Sequence, residues 1–148
     1  MKIRDLLKIK GRSVITIRPN ETVAAAIQKL VDYDRGSIPV CDGKGELVGI
    51  ITERDIVRKC FVHTDALASI KIEKVMTTGV AIGTPEDDLD YAISVMKQKR
   101  IRHLPIVDQQ KMVGMISMRD LLEVQLSEAN AEIRYARLLS RPPRRPVV

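Results

Sequence analysis

Residues 14–57 of this chain, VITIRPNETVAAAIQKLVDYDRGSIPVCDGKGELVGIITERDIV, recur with variation as residues 80–122, VAIGTPEDDLDYAISVMKQKRIRHLPIVDQQKMVGMISMRDLL. Val14 and Val80, Pro19 and Pro85, Ala26 and Ala92, Ile27 and Ile93, and Pro39 and Pro105 each stand 66 positions apart. One deletion in a turn makes the offset 65 for Gly49 and Gly114, Thr52 and Ser117, and Asp55 and Asp120. The segments leading into the two copies agree as well: Ile3, Leu6 and Leu7 have the spacing of Ile72, Val75 and Met76. Repetition at this period means one supersecondary unit used twice, with each copy completing the other.

The unit reads as β-α-β-β-α. Residues 14–17 and 80–82 are short apolar strands, each closed by a proline. Val23, Ala26, Ile27, Leu30 and Val31 fall on one face of a helix, and Leu89, Ala92, Ile93 and Met96 follow the same period. Thr84-Pro85-Glu86-Asp87 predicts the start of the second of these helices, with a capping hydroxyl, a first-turn proline and acids at the positive dipole end. Strands follow at 38–41 and 47–52, joined by the turn Asp42-Gly43-Lys44-Gly45, and again at 104–107 and 112–117. A helix follows Thr52 and another follows Ser117. Neither copy has strands enough for a core of its own, so the two are expected to share one through their sheets. The predicted units are repeats over 3–62 and 70–126, a helical extension over 127–139, and a disordered tail over 141–148. Leu122, Leu126, Ala129, Ile133 and Ala136 form an a/d seam on the extension. The Arg-Pro-Pro-Arg-Arg-Pro run from 141 ends it.

Composition narrows the function. The chain is 45% hydrophobic and 30% charged, and no apolar run approaches the ~18 residues of a membrane-spanning helix. MKIRDLLKIKGR is charged throughout and has no signal-peptide core, so a cytoplasmic location is expected. Cys41 and Cys60 form neither a disulfide framework nor a metal spacing. One Phe, three Tyr and no Trp leave little stacking surface for single-stranded nucleic acid. The net charge of +6 sits at the ends: +4 over residues 1–12, +5 over 134–148, and −3 between them. That pattern fits solvated termini better than a basic footprint on one face. Gly43-Lys44-Gly45-Glu46-Leu47-Val48-Gly49 runs from a turn into a strand, which is a hairpin and no dinucleotide fingerprint. Asp87, Asp88 and Asp90 read as first-turn acids. No nucleophile with its base, paired carboxylates or metal set appears, so an enzyme is not expected.

The chemistry lies in Gly49-Ile50-Ile51-Thr52-Glu53-Arg54-Asp55 and its copy, Gly114-Met115-Ile116-Ser117-Met118-Arg119-Asp120. The glycine admits something close to the strand backbone. The hydroxyl caps the next helix, and the carboxylate three residues on lies in its first turn, nearly a capping box. Such a carboxylate can also accept both hydroxyls of a ribose while the helix N-terminus faces a phosphate. Occurring twice after the same hairpin, the pattern points to a nucleotide.

These motifs, with Ile38-Pro39-Val40-Cys41-Asp42, Leu104-Pro105-Ile106-Val107-Asp108 and the lead Glu73-Lys74-Val75-Met76, resemble a CBS domain pair, or Bateman module. The resemblance covers residues 3–126. It implies a pseudo-twofold α/β (α+β) fold with a C-terminal helix, and two clefts for adenosyl ligands: AMP foremost, then ADP, ATP, NAD(H) or S-adenosylmethionine. Each cleft would join the aspartate of one repeat to the strand of the other. The first would hold Thr52, Arg54 and Asp55 with Gly79, Val80, Arg102, His103, Leu104 and Pro105. The second would hold Ser117, Arg119 and Asp120 with Ser13, Val14, Gly36, Ser37, Ile38 and Pro39. Arg102 and His103 should make the first the better phosphate site. The implied role is a non-catalytic sensor, homodimeric through its helices, that signals occupancy to a regulated protein outside the chain, with no membrane and no nucleic acid involved. The alternative is an adaptor acting through its basic termini.

Overall fold

The computed structural model describes residues 1–11 and 14–140, so Ser13 and the tail over 141–148 lie outside the described residues. Helix α1 spans Ile3–Lys10, α2 Val23–Asp32, α3 Glu53–Cys60, α4 Leu89–Lys99 and α5 Met118–Ser140. Strands β1 (Ser37–Cys41) and β2 (Leu47–Thr52) form one antiparallel hairpin, and β3 (His103–Asp108) and β4 (Lys111–Ser117) form the other. Their registers match: Ser37 faces Thr52 and Pro39 faces Ile50, as His103 faces Ser117 and Pro105 faces Met115.

The pseudo-twofold equivalence is visible in backbone hydrogen bonds. Ile3 N donates to Asp87 O at 2.9 Å, and Ile72 N to Glu21 O at 2.8 Å. Glu53 N donates to Gly36 O at 3.0 Å, and Met118 N to Arg102 O at 2.9 Å. The expected first strands shrink to single parallel bridges, Ile17 to Val40 and Gly83 to Ile106. Proline two residues after each bridging residue removes the donor a longer ladder needs. The second bridge falls just beyond residues 80–82. The expected helix start at 84–87 is instead a turn, in which Asp87 N donates to Thr84 O at 3.1 Å and Thr84 N to Asp87 Oδ2 at 2.7 Å. Helix α4 begins after Asp88, whose carboxylate pairs with Lys2 at 3.0 Å.

The buried apolar side chains among the described residues form two clusters, where one shared core was expected. One cluster joins Ile17, Val23, Ala26, Leu30, Ile38, Val40 and Ile51 to Ile72 and Val75. The other joins Leu89, Ala92, Met96, Leu104, Ile106, Ile116 and Leu121 to Ile3 and Leu6. Each repeat is therefore closed by the lead segment of the other. Ile3 and Ile72 are fully buried, and such a side chain contributes about 1.5–3 kcal/mol over its exposed state. Val31, placed on the core face by its spacing, is exposed because α2 buries only Val23, Ala26 and Leu30.

Gly49 and Gly114 owe their identity to the same exchange. A Cβ on Gly49 would lie 2.8 Å from Met76 Sδ and 2.9 Å from Thr77 O. On Gly114 it would lie 2.5 Å from Leu7 Cδ2. What approaches the strand so closely is the other repeat's lead segment.

The symmetry fails at one place. Repeat 2's lead is a short 3-10 turn, Ile72–Lys74, after which Thr77 pairs with Ile50 of β2 through two backbone bonds of 2.9 and 3.0 Å. Repeat 1's lead stays helical through Lys10, and among the described residues it is a side chain that reaches the equivalent strand: Lys10 Nζ donates to Met115 O at 2.5 Å.

Candidate functional site

Both helices that follow the hairpins open on the expected hydroxyl and carboxylate. Thr52 Oγ1 accepts from Asp55 N at 3.0 Å while Thr52 N donates to Asp55 Oδ2 at 3.1 Å, a complete capping box. In the second copy Asp120 N donates to Ser117 Oγ at 3.1 Å and Ser117 N to Asp120 Oδ2 at 2.9 Å. The capping role is real in both, and the two sites separate on what else each carboxylate does.

Asp55 is used up. Its Oδ2 also accepts from the Thr52 hydroxyl at 3.0 Å, and its Oδ1 accepts from Thr77 Oγ1 at 3.1 Å and lies 3.5 Å from Lys59 Nζ. Asp120 takes Lys10 Nζ at 2.8 Å on Oδ2, the oxygen that already serves Ser117, and Oδ1 takes no hydrogen bond from the described residues. Burial raises the Asp120 carboxyl, but the Lys10 ammonium and the Ser117 N–H outweigh it and hold the group below its ordinary range.

A cavity of about 940 Å³ opens at Asp120. Ser117, Arg119 and Asp120 meet Val14, Gly36, Ser37 and Pro39 of the other repeat on its walls, the cross-repeat grouping expected. Ile38 is fully buried behind them. Small-ligand sites measure roughly 300–1,000 Å³. Three features were not legible from the motifs. Lys10 stands inside the cavity, α5 extends its wall through Glu123 and Ser127, and His103 lines it. A Cβ on Gly36 would sit 3.6 Å from the His103 imidazole, which places that ring beside repeat 1 near the pseudo-twofold. Burial, then the nearby Lys10 and Arg102 cations, lower the His103 pKa from its ordinary value, with Asp120 opposing.

The first expected cleft is less assembled. Gly79 and Val80 line a separate space of about 600 Å³ with Gly49, Gln109 and Gln110, and Thr52, Arg54, Asp55 and the segment 102–105 are not on its walls. Leu104 and Pro105 are buried in β3, while Arg54 and Arg102 are exposed. Of the two groups expected to favour phosphate in this cleft, His103 lines the other cavity and Arg102 is exposed. Beside Asp55 stand the Thr77–Ile50 bridge and the Thr77 hydroxyl, whereas beside Asp120 stands the Lys10 side chain.

Among the described residues no group of His, Cys, Asp and Glu could hold a metal ion, and no helix is long and apolar enough to cross a membrane. Cys41 and Cys60 are buried, and burial raises both thiol pKa values, which suits inert core positions.

The profile of the CBS domain family matches residues 3–61 and 72–127. A CBS domain-containing protein of Bacillus subtilis, YhcV, is 35% identical over 118 residues, covering 80% of this chain and 83% of its own. The crystal structure of the CBS domain protein NE2398 superposes with a TM-score of 0.80 at 30% identity, covering 85% of this chain and 98% of the other. The CBS domain pair of MJ0100, solved in complex with 5′-methylthioadenosine and S-adenosyl-L-methionine, superposes with a TM-score of 0.76 at 26% identity, covering 86% and 98%.

Proposed function

The chain belongs to the CBS domain family, and from that premise we propose that it is a non-catalytic sensor whose Asp120 cavity takes an adenosyl nucleotide and reports occupancy to a partner protein. The observation that carries this reading is the half-used Asp120 carboxylate in a cavity built from both repeats. Its Oδ1, which takes no hydrogen bond from the described residues, suits a ribose diol. The N-terminus of α5 and the cations of Lys10, Arg35 and Arg119 suit a phosphate. AMP combines these groups in the smallest form; ADP, ATP, NAD(H) and S-adenosylmethionine share its adenosine. Asp55, closed in by Thr77, serves a second and weaker site that must break that contact before it can bind.

We also propose that the chain is a homodimer. Val57, Phe61 and Val62 after β2, and Leu122, Leu126 and Ile133 on α5, are large apolar side chains left exposed. Leu122, Leu126 and Ile133 of the expected a/d seam are therefore available to a second copy. Light scattering at tens of micromolar checks this, and a monomer counts against it.

Thermal unfolding with each of the five ligands tests the sensor reading. A ligand at a hundred times its Kd adds about 2.7 kcal/mol to the folded state. A clear rise in Tm with AMP supports the proposal; no rise with any of the five removes it.

A further inference from the structure

We propose that Lys10 is the specificity-determining residue of the Asp120 cavity: it holds the carboxylate while the cavity is empty and turns to the anionic group of an incoming ligand, so that phosphorylated occupants are selected over uncharged ones. The inference rests on the nucleotide reading of that cavity.

Four observations carry it. First, the contact is built and largely enclosed: Lys10 and Asp120 side chains are each 18% exposed, and the ammonium bonds Met115 O as well. Second, Lys10 occupies the carboxylate that a ribose would need. A nucleoside entering beside an undisturbed pair would face Oδ1 alone, with the negative charge already spent. Third, a lysine from the lead segment is confined to one half of the molecule, since the lysine beside Asp55, Lys59, belongs to α3 and lies 3.5 Å away. The lead segments align at an offset of 69, which pairs Lys10 with Gly79, so the other repeat has no side chain at this position. There the lead is fixed to β2 by backbone bonds to Thr77, whereas here a side chain on flexible methylenes makes the connection. Fourth, the other cations of this cavity are placed differently. Arg119 is 88% exposed and 3.5 Å from Glu123. Arg35 lines the wall, and among the described residues the ion pair to Asp120 is made by Lys10. Lys10 is thus the cation whose release both frees the ribose acceptor and supplies a donor to a phosphate. An uncharged ligand either meets Oδ1 alone or breaks the pair and gets nothing for the ammonium; a phosphorylated one replaces the carboxylate with another anion.

The experiment is titration calorimetry of AMP and of adenosine against the wild type, Lys10→Met, Lys10→Arg and Arg35→Met. Methionine keeps the apolar stem and removes the charge. Lys10→Met should weaken AMP about ten- to a hundredfold and leave adenosine unchanged or several-fold tighter, so the preference for AMP collapses. Lys10→Arg should keep that preference, which guards against a variant that merely fails to fold. Arg35→Met should weaken AMP without tightening adenosine. Equal loss of AMP and adenosine in Lys10→Met, or no change in either, overturns the inference while leaving the nucleotide reading intact. Failure of the wild type to bind either compound overturns both.

Discussion

Replacing Gly114 by alanine separates two explanations of the repeated glycine, room for a ligand and room for the neighbouring lead segment. Gly114 is outside the left-handed region, so alanine there should ordinarily stabilise by about 0.4–1 kcal/mol through the unfolded chain. Here the new Cβ would lie 2.5 Å from Leu7 Cδ2 and 3.1 Å from Cδ1, so Leu7 must be displaced from the strand. Overpacking of this kind costs about 1–3 kcal/mol, which leaves Gly114→Ala destabilised by about 1–2 kcal/mol. Gly49→Ala should cost more. Its Cβ would meet Thr77 O at 2.9 Å as well as Met76 Sδ at 2.8 Å, and a carbonyl fixed in a bridge cannot turn aside as a side chain can. Urea unfolding followed by far-ultraviolet circular dichroism measures both. The double variant Leu7→Ala/Gly114→Ala should be less destabilised than the sum of its parts by about 1–2 kcal/mol, since truncating Leu7 removes the clash. Gly114→Ala at or above wild-type stability, or strict additivity in the double variant, would refute the packing account.

Two further perturbations test neighbouring claims. Ile3→Ala should cost about 2–5 kcal/mol, as should Ile72→Ala, because each isoleucine closes the core of the opposite repeat; equilibrium denaturation giving less than about 1 kcal/mol for either would mean that the exchange does not hold the module together. His103 has its pKa lowered in the fold, so the unfolded chain binds the proton first as pH falls. The stability contributed by neutral His103 is therefore present above its ordinary value of 6.5 and lost as pH drops from there through the folded value; the urea midpoint should fall between pH 7.5 and 5.5 in the wild type and less in His103→Gln, and equal falls would exclude His103 as the cause.

What the sequence made legible was whatever recurs. The offsets of 66 and 65 fixed the equivalence of the hairpins, and the Thr-x-x-Asp and Ser-x-x-Asp pairs located the starts of α3 and α5. Four things were hidden for physical reasons. Ile3 and Leu6 have the right spacing for a core, but spacing does not say whose core, and they serve the other repeat. Thr84-Pro85-Glu86-Asp87 carries every mark of a helix start, yet the Asp87 carboxylate closes on Thr84 N and makes a turn four residues early. His103 was assigned with Asp55 by cross-repeat analogy, but near a pseudo-twofold axis a side chain can reach either cavity, and this one lies against Gly36. Lys10 and Thr77 have no motif. Aligning the two leads signals that they differ, with Lys8-Ile9-Lys10 against Thr77-Thr78-Gly79, though not that Thr77 bonds Asp55 where Lys10 pairs with Asp120.

The central claim is that Asp120 holds the ligand. From the third helical position an asparagine Oδ1 can accept the same bond from the Thr52 or Ser117 N–H, so Asp120→Asn and Asp55→Asn each remove a negative charge while keeping the local fold. Titration calorimetry of AMP into the wild type and both variants is the direct measurement. The account predicts saturable binding to the wild type, at least about tenfold weaker in Asp120→Asn through loss of the charge-assisted bonds to ribose, and little changed at the tighter site in Asp55→Asn. AMP bound as tightly by Asp120→Asn as by the wild type, or lost in Asp55→Asn alone, would contradict it.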